Sequence, residues 1–352
     1  MTYDYVIAGA GLAGAALSFV LSRYGSVCVL EPASIANGAS GVAAGLVNPV
    51  LGDKANPVWE VEGVFETLDA WDAELGGIWS RRGLFRPSKT EHQQEVYFRR
   101  AAERHPHLVK IISASKWEAQ LPFVHAPFGG LFVPQGGIMD IQALTKRLFN
   151  AAGPEWILGA LTHWYTLENG LLHLETTSQS ITARRLFLCL GRNYHDFPAL
   201  DALNLHDVKG QVVELRYSHP LPFDIPALSG RAYMVHDGLR LVLGSSFEHE
   251  FSHLAPNPIE TEKILAKAYE LIPALRDVSP AEVKEVAGVR VTVPGTRLPC
   301  VGPLRESPNV WMFSALGAKG LLLAPYLAEQ MPAYLSNPEG IPKNLRPLYR
   351  FQ

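Results

Sequence analysis

The sequence predicts a mixed α/β protein in two parts: a Rossmann-like domain around a parallel sheet, and a second, mainly antiparallel β-sheet domain. Two observations carry this. The first 31 residues read as strand, glycine-rich turn, helix and strand, a βαβ unit that demands a parallel sheet. From about residue 208 the pattern turns to apolar and alternating runs joined by a tight turn, which demands antiparallel hairpins. The length of 352 residues suits two domains, and a composition 47% hydrophobic and 18% charged supplies the apolar mass for their cores.

Residues 3–8 are the first strand, 9–14 the glycine-rich turn, 15–24 the helix and 27–31 the second strand. Residues 33–52 are mostly small, a loop whose length inside a globular fold points to function. Val61, Val64, Phe65, Leu68, Trp71 and Leu75 recur at helical spacing and predict an amphipathic helix. Asp140 is placed to cap a further helix bearing Ile141, Leu144 and Leu148. Residues 186–190 read as a buried strand stopped at Gly191. Runs at 212–217, 232–236 and 239–244 read as strands, with Asp237-Gly238 as a hairpin turn. A helix near 259–272, strands near 283–291 and 309–313, and a last helix near 320–335 complete the chain.

Composition narrows the function. Thirty-one basic against 34 acidic residues give a net charge of −3, without the footprint of a nucleic-acid or anionic-membrane binder. Cys28, Cys189 and Cys300 lie far apart with no CxxC pair, which speaks against a disulfide scaffold or a cysteine zinc site. The longest apolar run, 8–21, is glycine-broken and too short to span a bilayer. The first residues lack the basic region of a secretory signal, so a soluble cytoplasmic protein is expected.

The turn Gly9-Ala10-Gly11-Leu12-Ala13-Gly14 follows a strand and opens a helix. The first glycine permits the tight turn, the second lets backbone approach a pyrophosphate, and the third lets helix pack on strand. Phosphates then meet the free N–H groups of the helix N-terminus. Glu31 ends the second strand, placed to accept from ribose hydroxyls and to repel a 2′-phosphate, which disfavours NADP. The fingerprint alone does not separate FAD from NAD.

The rest of the chain does. Val289-Arg290-Val291 through Leu298-Pro299-Cys300-Val301-Gly302-Pro303, then Asn309-Val310-Trp311-Met312-Phe313-Ser314, Gly317-Ala318-Lys319-Gly320-Leu321 and Ala324-Pro325, resemble the C-terminal signature of the D-amino-acid oxidase superfamily. Further matches in family order are Gly38-Ala39-Ser40-Gly41, Ala44-Gly45-Leu46, Gly136-Gly137-Ile138-Met139-Asp140, Lys209-Gly210-Gln211 and Leu243-Gly244-Ser245-Ser246. Within the superfamily the chain is similar to its glycine- and sarcosine-oxidase-like members. Segments 38–52 and 315–329 look most like the oxidase domain of the bifunctional bacterial tRNA wobble-uridine modification enzyme, and no methyltransferase domain accompanies them in this sequence.

The resemblance implies non-covalent FAD in a discontinuous domain of residues 1–80, 135–206 and 284–352, with 81–134 and 207–283 forming the substrate domain. It assigns the ADP half to Gly9, Ala10, Gly11, Leu12, Ala13, Gly14, Glu31 and Pro32, and the flavin lining to Ala39, Ser40, Ala44, Gly45 and Leu46. Leu161 is assigned adenine contacts through its backbone, Gly191 a place beside the cofactor, and Leu316, Gly317, Ala318, Lys319, Gly320 and Leu321 a helix N-terminus aimed at the flavin N1/O2 edge. Amide dipoles and a lysine there suit a flavin that becomes anionic on reduction. Arg290 matches the arginine that grips the substrate carboxylate, Tyr233 the tyrosine beside it, and Lys319 a basic residue supporting the reduced flavin.

The expected activity is oxidation of the C–N bond of an amino acid or N-substituted glycine by hydride transfer to flavin N5. The partner is then a small amine or amino acid, with no membrane. One alternative is the same chemistry on a carboxymethylaminomethyl-type tRNA uridine; another is a flavin-binding interaction protein without turnover. The stretch from Arg290 to Pro299 departs from the family by one extra residue, and Pro294-Gly295-Thr296 replaces its usual acid. His249-Glu250-Phe251-Ser252-His253 fits the HExxH zinc pattern, but Pro256, Pro258 and the preceding Gly244-Ser245-Ser246 oppose the helix that pattern needs, so no metal is expected. His163, His173, His195 and His236 read as structural, and Arg99, Arg100 and Arg104 as a solvated helix face.

Overall fold

The computed structural model describes residues 1–350. Its first sheet runs Glu155–Leu158, Val27–Glu31, Thr2–Ala8, Ser180–Leu188, with parallel pairing throughout this part. Val27 to Leu30 are all buried, as both faces of a covered parallel strand must be. The nine-residue strand Ser180–Leu188 then forks. Its later half pairs in parallel with Val310–Met312, and its earlier half pairs antiparallel with Leu172–Glu175 of a hairpin closed by Leu161–Thr166. The helices Leu12–Leu21, Ile141–Ala152 and Gly320–Ser336 share one core with one side of this sheet. Leu161, Leu172, Tyr194 and Phe197 belong to the core on the other. Asp140 caps its helix as expected, accepting from the Ala143 N–H at 2.9 Å.

The second sheet runs Glu282–Thr292, His206–Arg216, Arg240–Gly244, Tyr233–Asp237, Ala227–Ser229, Leu84–Pro87, Gly130–Val133, Lys110–Ile112. It is antiparallel except where Ala227 and Leu228 pair in parallel with Leu84 and Phe85. Asp237-Gly238 makes the hairpin turn, with Gly238 at φ +60°. One face of the sheet packs on the helix Pro258–Leu271. The other meets Val42, Ala44 and Leu46 from the 39–46 segment.

Several elements differ from the sequence reading. The strand expected from 212 begins at His206, because Lys209 is a buried side chain whose ammonium lies 3.5 Å from the Glu248 carboxylate. Glu282–Thr292 pairs along its whole length with His206–Arg216, so it stays in the second sheet past the boundary expected at 284. The strands Leu84–Pro87, Lys110–Ile112 and Gly130–Val133 are too short for a periodicity to register. Residues 249–253 form bends, and the next helix starts only at Pro258, capped by Asn257, so the two HExxH histidines do not share a helical face. No helix among the described residues is long and apolar enough to cross a membrane.

Candidate cofactor and substrate site

The glycine-rich turn is built so that only glycine fits at two of its positions. Gly9 sits at φ +110°, and a Cβ there would lie 2.4 Å from the Cys189 carbonyl oxygen. A Cβ on Gly14 would lie 2.0 Å from the Gly9 oxygen. Gly11 ends the turn as the N-cap of Leu12–Leu21 and offers no side-chain cap, so Ala13 and Gly14 carry the unpartnered N–H groups of a first helical turn. Two other segments brace it. Ser40 Oγ accepts from the Leu12 N–H at 3.0 Å, and the Glu31 carboxylate accepts from Ala10 and Ala33 N–H groups at 2.9 and 3.0 Å. This cradle of bare backbone at a helix N-terminus fits the pyrophosphate of a dinucleotide. Exposed Pro32 follows Glu31, and buried Leu161 lies two residues past Gly159, whose N–H donates to the Glu31 carbonyl at 3.2 Å. Gly191, at φ +55°, lies two residues past Cys189, which follows the strand Ser180–Leu188 and packs its carbonyl against Gly9.

The segment after Gly38 crosses to the second sheet. The short helix Ala39–Val42 packs over Gly288, where a Cβ would stand 3.0 Å from Val42 Cγ2 and 3.3 Å from Ala39 Cα. Gly45, at φ +80°, is pressed against the Met139 carbonyl, and Leu46 pairs with Ile138. Ala44 and Leu46 pack with Tyr233 and Val286 around Val212, Val235 and Val242.

Side chains alternate along a strand, so Val286, Gly288, Arg290 and Thr292 share one face of Glu282–Thr292. That face joins the parts of the site. Val286 meets the cluster containing Tyr233; Gly288 receives Ala39–Val42; Thr292 Cγ2 lies 3.1 Å from the point where a Cβ on Gly317 would be. Between them, Arg290 Nη2 donates to the Ser246 carbonyl at 2.8 Å. Its guanidinium lies across Gly210, where a Cβ would be 2.1 Å from Nη2, and under the Phe247 ring, whose centroid is 4.3 Å from Cζ. Among the described residues Arg290 has no carboxylate partner and no second hydrogen bond, so its other guanidinium N–H groups are uncommitted. Burial lowers its pKa, against the opposing effect of Tyr233.

Tyr233 faces Gly244 across the hairpin, where a Cβ would be 2.5 Å from its Oη. Burial pushes its phenol up to about 12, against the pull of Arg290 and a hydrogen bond with Ser245. The structure therefore brings Arg290 and Tyr233 together.

Lys319 is placed differently. Its Nζ donates to the Arg297 carbonyl at 2.6 Å, tying down the 293–299 loop whose turn holds Gly295 at φ +80° and Arg297 at φ +52°. Burial and Arg297 both lower its pKa. Around it, Leu316 precedes the turn Gly317–Lys319, and the helix Gly320–Ser336 starts with no side-chain cap while Leu321 is buried. Ser246, Phe247, Gly210 and Gly288 are site residues without a sequence-derived role. Two of their motifs are visible in the sequence, but a contribution made by a carbonyl or by the absence of a side chain leaves no signal in residue type.

Comparison with known proteins fits this geometry. Residues 4–332 match the family described as "FAD dependent oxidoreductase" (DAO). Two curated relatives are named tRNA 5-methylaminomethyl-2-thiouridine biosynthesis bifunctional protein MnmC. The one from Polaromonas naphthalenivorans is 27% identical over 97% of this chain and 58% of its own length, and the one from Idiomarina loihiensis is 26% identical over 95% and 55%. The chain thus spans little more than half the length of these relatives. Glycine oxidase from Geobacillus kaustophilus superposes with a TM-score of 0.84 at 21% identity, covering 100% of both chains. Iminodiacetate oxidase from Chelativorans sp. BNC1 superposes at 0.81 and 19% identity, covering 98% of this chain and 99% of its own.

Proposed function

The chain belongs to the DAO family of FAD-dependent oxidoreductases, and from that premise we propose that it oxidises the C–N bond of an amino acid or N-substituted glycine held through its carboxylate by Arg290. One observation carries this reading: a largely buried guanidinium with, among the described residues, a single backbone acceptor and no acidic partner, beside Tyr233 and on the strand face that meets the 39–46 and 317 segments. A buried charge is costly unless paired, so an arginine left uncommitted in this way is a site for an anion from outside the chain. A carboxylate accepts the guanidinium fork bidentately, which fixes the neighbouring carbon as well as the anion.

The chain's own residues bind and orient. The Gly9–Gly14 turn and Glu31 would hold the ADP half of FAD, non-covalently, and Ala39, Ser40, Ala44, Gly45 and Leu46 would line the flavin. FAD, when bound, supplies the two-electron acceptor that turns an amine into an imine, which water then hydrolyses. Tyr233 stays a neutral phenol and donates to the substrate carboxylate. The first turn beginning at Gly320 favours negative charge nearby, and the positive charge of Lys319 adds to that effect while its ammonium holds the Arg297 carbonyl. The test is anaerobic: addition of glycine, sarcosine and a panel of amino acids to the holoenzyme should bleach the flavin with at least one amine, and Arg290→Met should abolish bleaching. A flavin that no carboxylate-bearing amine reduces overturns the reading.

A second reading is favoured by the identity of 26–27% to bifunctional tRNA-modification proteins across nearly the whole chain. There the same glycine-like group is attached to a modified uridine, and the small amines stand in for it poorly. Bleaching by modified tRNA and not by free amino acids supports that substrate.

A further inference from the structure

We propose that Phe247 selects the substrate by stacking against a flat substituent on the amine nitrogen; this rests on the reading of Arg290 as the carboxylate anchor. Consecutive residues treat the guanidinium in two ways: Ser246 takes one donor with its carbonyl, and Phe247 lays its ring over the plane. Ser246 is 3% exposed and Phe247 is 61% exposed, so the chain emerges from the site at this step and the ring stands on its rim. A single exposed aromatic is ordinary on a protein surface. This one is ordered by its contact with a charged group that is itself held by Gly210 beneath and Ser246 at its edge. An aromatic ring already fixed by a cation loses little freedom when a second flat group covers it.

The chemistry of the substrate puts its variable part near this ring. In an N-substituted glycine the nitrogen is separated from the carboxylate carbon by one atom, so a carboxylate held by Arg290 leaves the nitrogen's substituent within reach of a ring packed on that guanidinium. An N-methyl group is too small to cover a phenyl face. A benzyl group matches it in shape and polarity. The class of substrate is therefore an N-arylmethyl glycine rather than glycine or sarcosine.

The experiment compares sarcosine with N-benzylglycine as reductants of the holoenzyme flavin under anaerobic conditions, in the wild type, Phe247→Leu and Phe247→Trp. Stacking predicts that the wild type prefers N-benzylglycine by about tenfold or more in second-order rate constant, the equivalent of one aromatic contact. The preference should fall about tenfold in Phe247→Leu, which keeps bulk but not the flat ring, and persist in Phe247→Trp. Equal preference in Phe247→Leu and the wild type overturns the proposal, as does a Phe247→Trp variant that behaves like Phe247→Leu. A wild type reduced by no N-substituted glycine overturns both the proposal and the reading of Arg290 beneath it; reduction with unchanged preference overturns the proposal alone.

Discussion

Replacing Gly210 by alanine tests the proposed substrate site without touching a group that would contact the substrate. Gly210 is a strand residue opposite Gly288 with no left-handed φ, so the backbone accepts alanine. The added Cβ would stand 2.1 Å from Arg290 Nη2, 2.7 Å from Cζ and 3.1 Å from Nε. Ordinary contact is near 3.5 Å, so the guanidinium must move by roughly 1.4 Å. It is the far end of a flexible side chain and can do so at little cost in stability. That displacement breaks the 2.8 Å bond to Ser246 and tilts the fork away from its bidentate pose. One charge-assisted hydrogen bond is worth about 1.5–3 kcal/mol, so the second-order rate of flavin reduction should fall about 10- to 100-fold. The assay is stopped-flow anaerobic reduction by a reactive N-substituted glycine and by its carboxamide, with FAD content and thermal midpoint as controls. The acid should lose its advantage over the amide while both controls stay near wild type. An unchanged ratio of acid to amide refutes the geometry argued for Arg290.

Three further outcomes follow from the same structure. Gly14→Ala drives a Cβ to 2.0 Å from the Gly9 oxygen, with rigid backbone on both sides, so the protein should purify without flavin absorbance; a yellow variant of normal stoichiometry contradicts the cradle. Tyr233→Phe removes one hydrogen bond of about 1 kcal/mol and should raise KM roughly fivefold. Because the Tyr233 phenol sits at about 12, the pH profile of kcat/KM should lack a tyrosine limb below pH 10 in wild type and variant alike, and a wild-type limb lost in the variant would count against it. Stability should decline in alkali. Burial lifts Cys28 and Cys300 to about 12, against about 8.5 for an unfolded thiol, and burial leads the rise of Tyr194, Tyr217 and Tyr334 to about 12 as well. The folded state keeps these protons where the unfolded chain releases them, so the stabilisation is full below the unfolded pKa values and drains as pH rises towards 12. A urea midpoint that stays level between pH 8 and pH 10 argues against this.

How much of this was readable in the sequence depended on how local the cause was. The Gly9–Gly14 turn, the helix Val61–Leu75 and the cap at Asp140 are set by neighbours within a few residues, and each stands where its spacing predicted. Arg290 and Tyr233 were singled out through family motifs alone, since nothing in a strand's periodicity marks an arginine as a candidate anion site. The rest required partners distant in sequence. Lys209 interrupts an apolar run and hides the start of a strand, because only the folded chain supplies Glu248 to neutralise it. The family resemblance assigned Lys319 a place beside the flavin, and the structure shows its ammonium donating to the Arg297 carbonyl in the altered loop. A carbonyl acceptor such as Ser246 is invisible in sequence because every residue has one.

The organisation of the site has a simple mechanical basis. Positions 286, 288 and 292 touch, in order, the Tyr233 cluster, the 39–42 helix and the 317 turn, and position 290 carries the proposed substrate anchor. A slip of one residue between Glu282–Thr292 and His206–Arg216 would turn all four to the opposite face at once. Eleven consecutive pairs oppose that slip, and Gly210 opposite Gly288 leaves the room that both the helix and the guanidinium need. The proposed cofactor loop and substrate anchor are thus held in register by a single ladder, so the distance between them is fixed by backbone pairing rather than by the contact of two independent domains. Substitutions that weaken this ladder at its far end, near Glu282, should leave the site intact, whereas those at Gly288 should disturb flavin and carboxylate binding together.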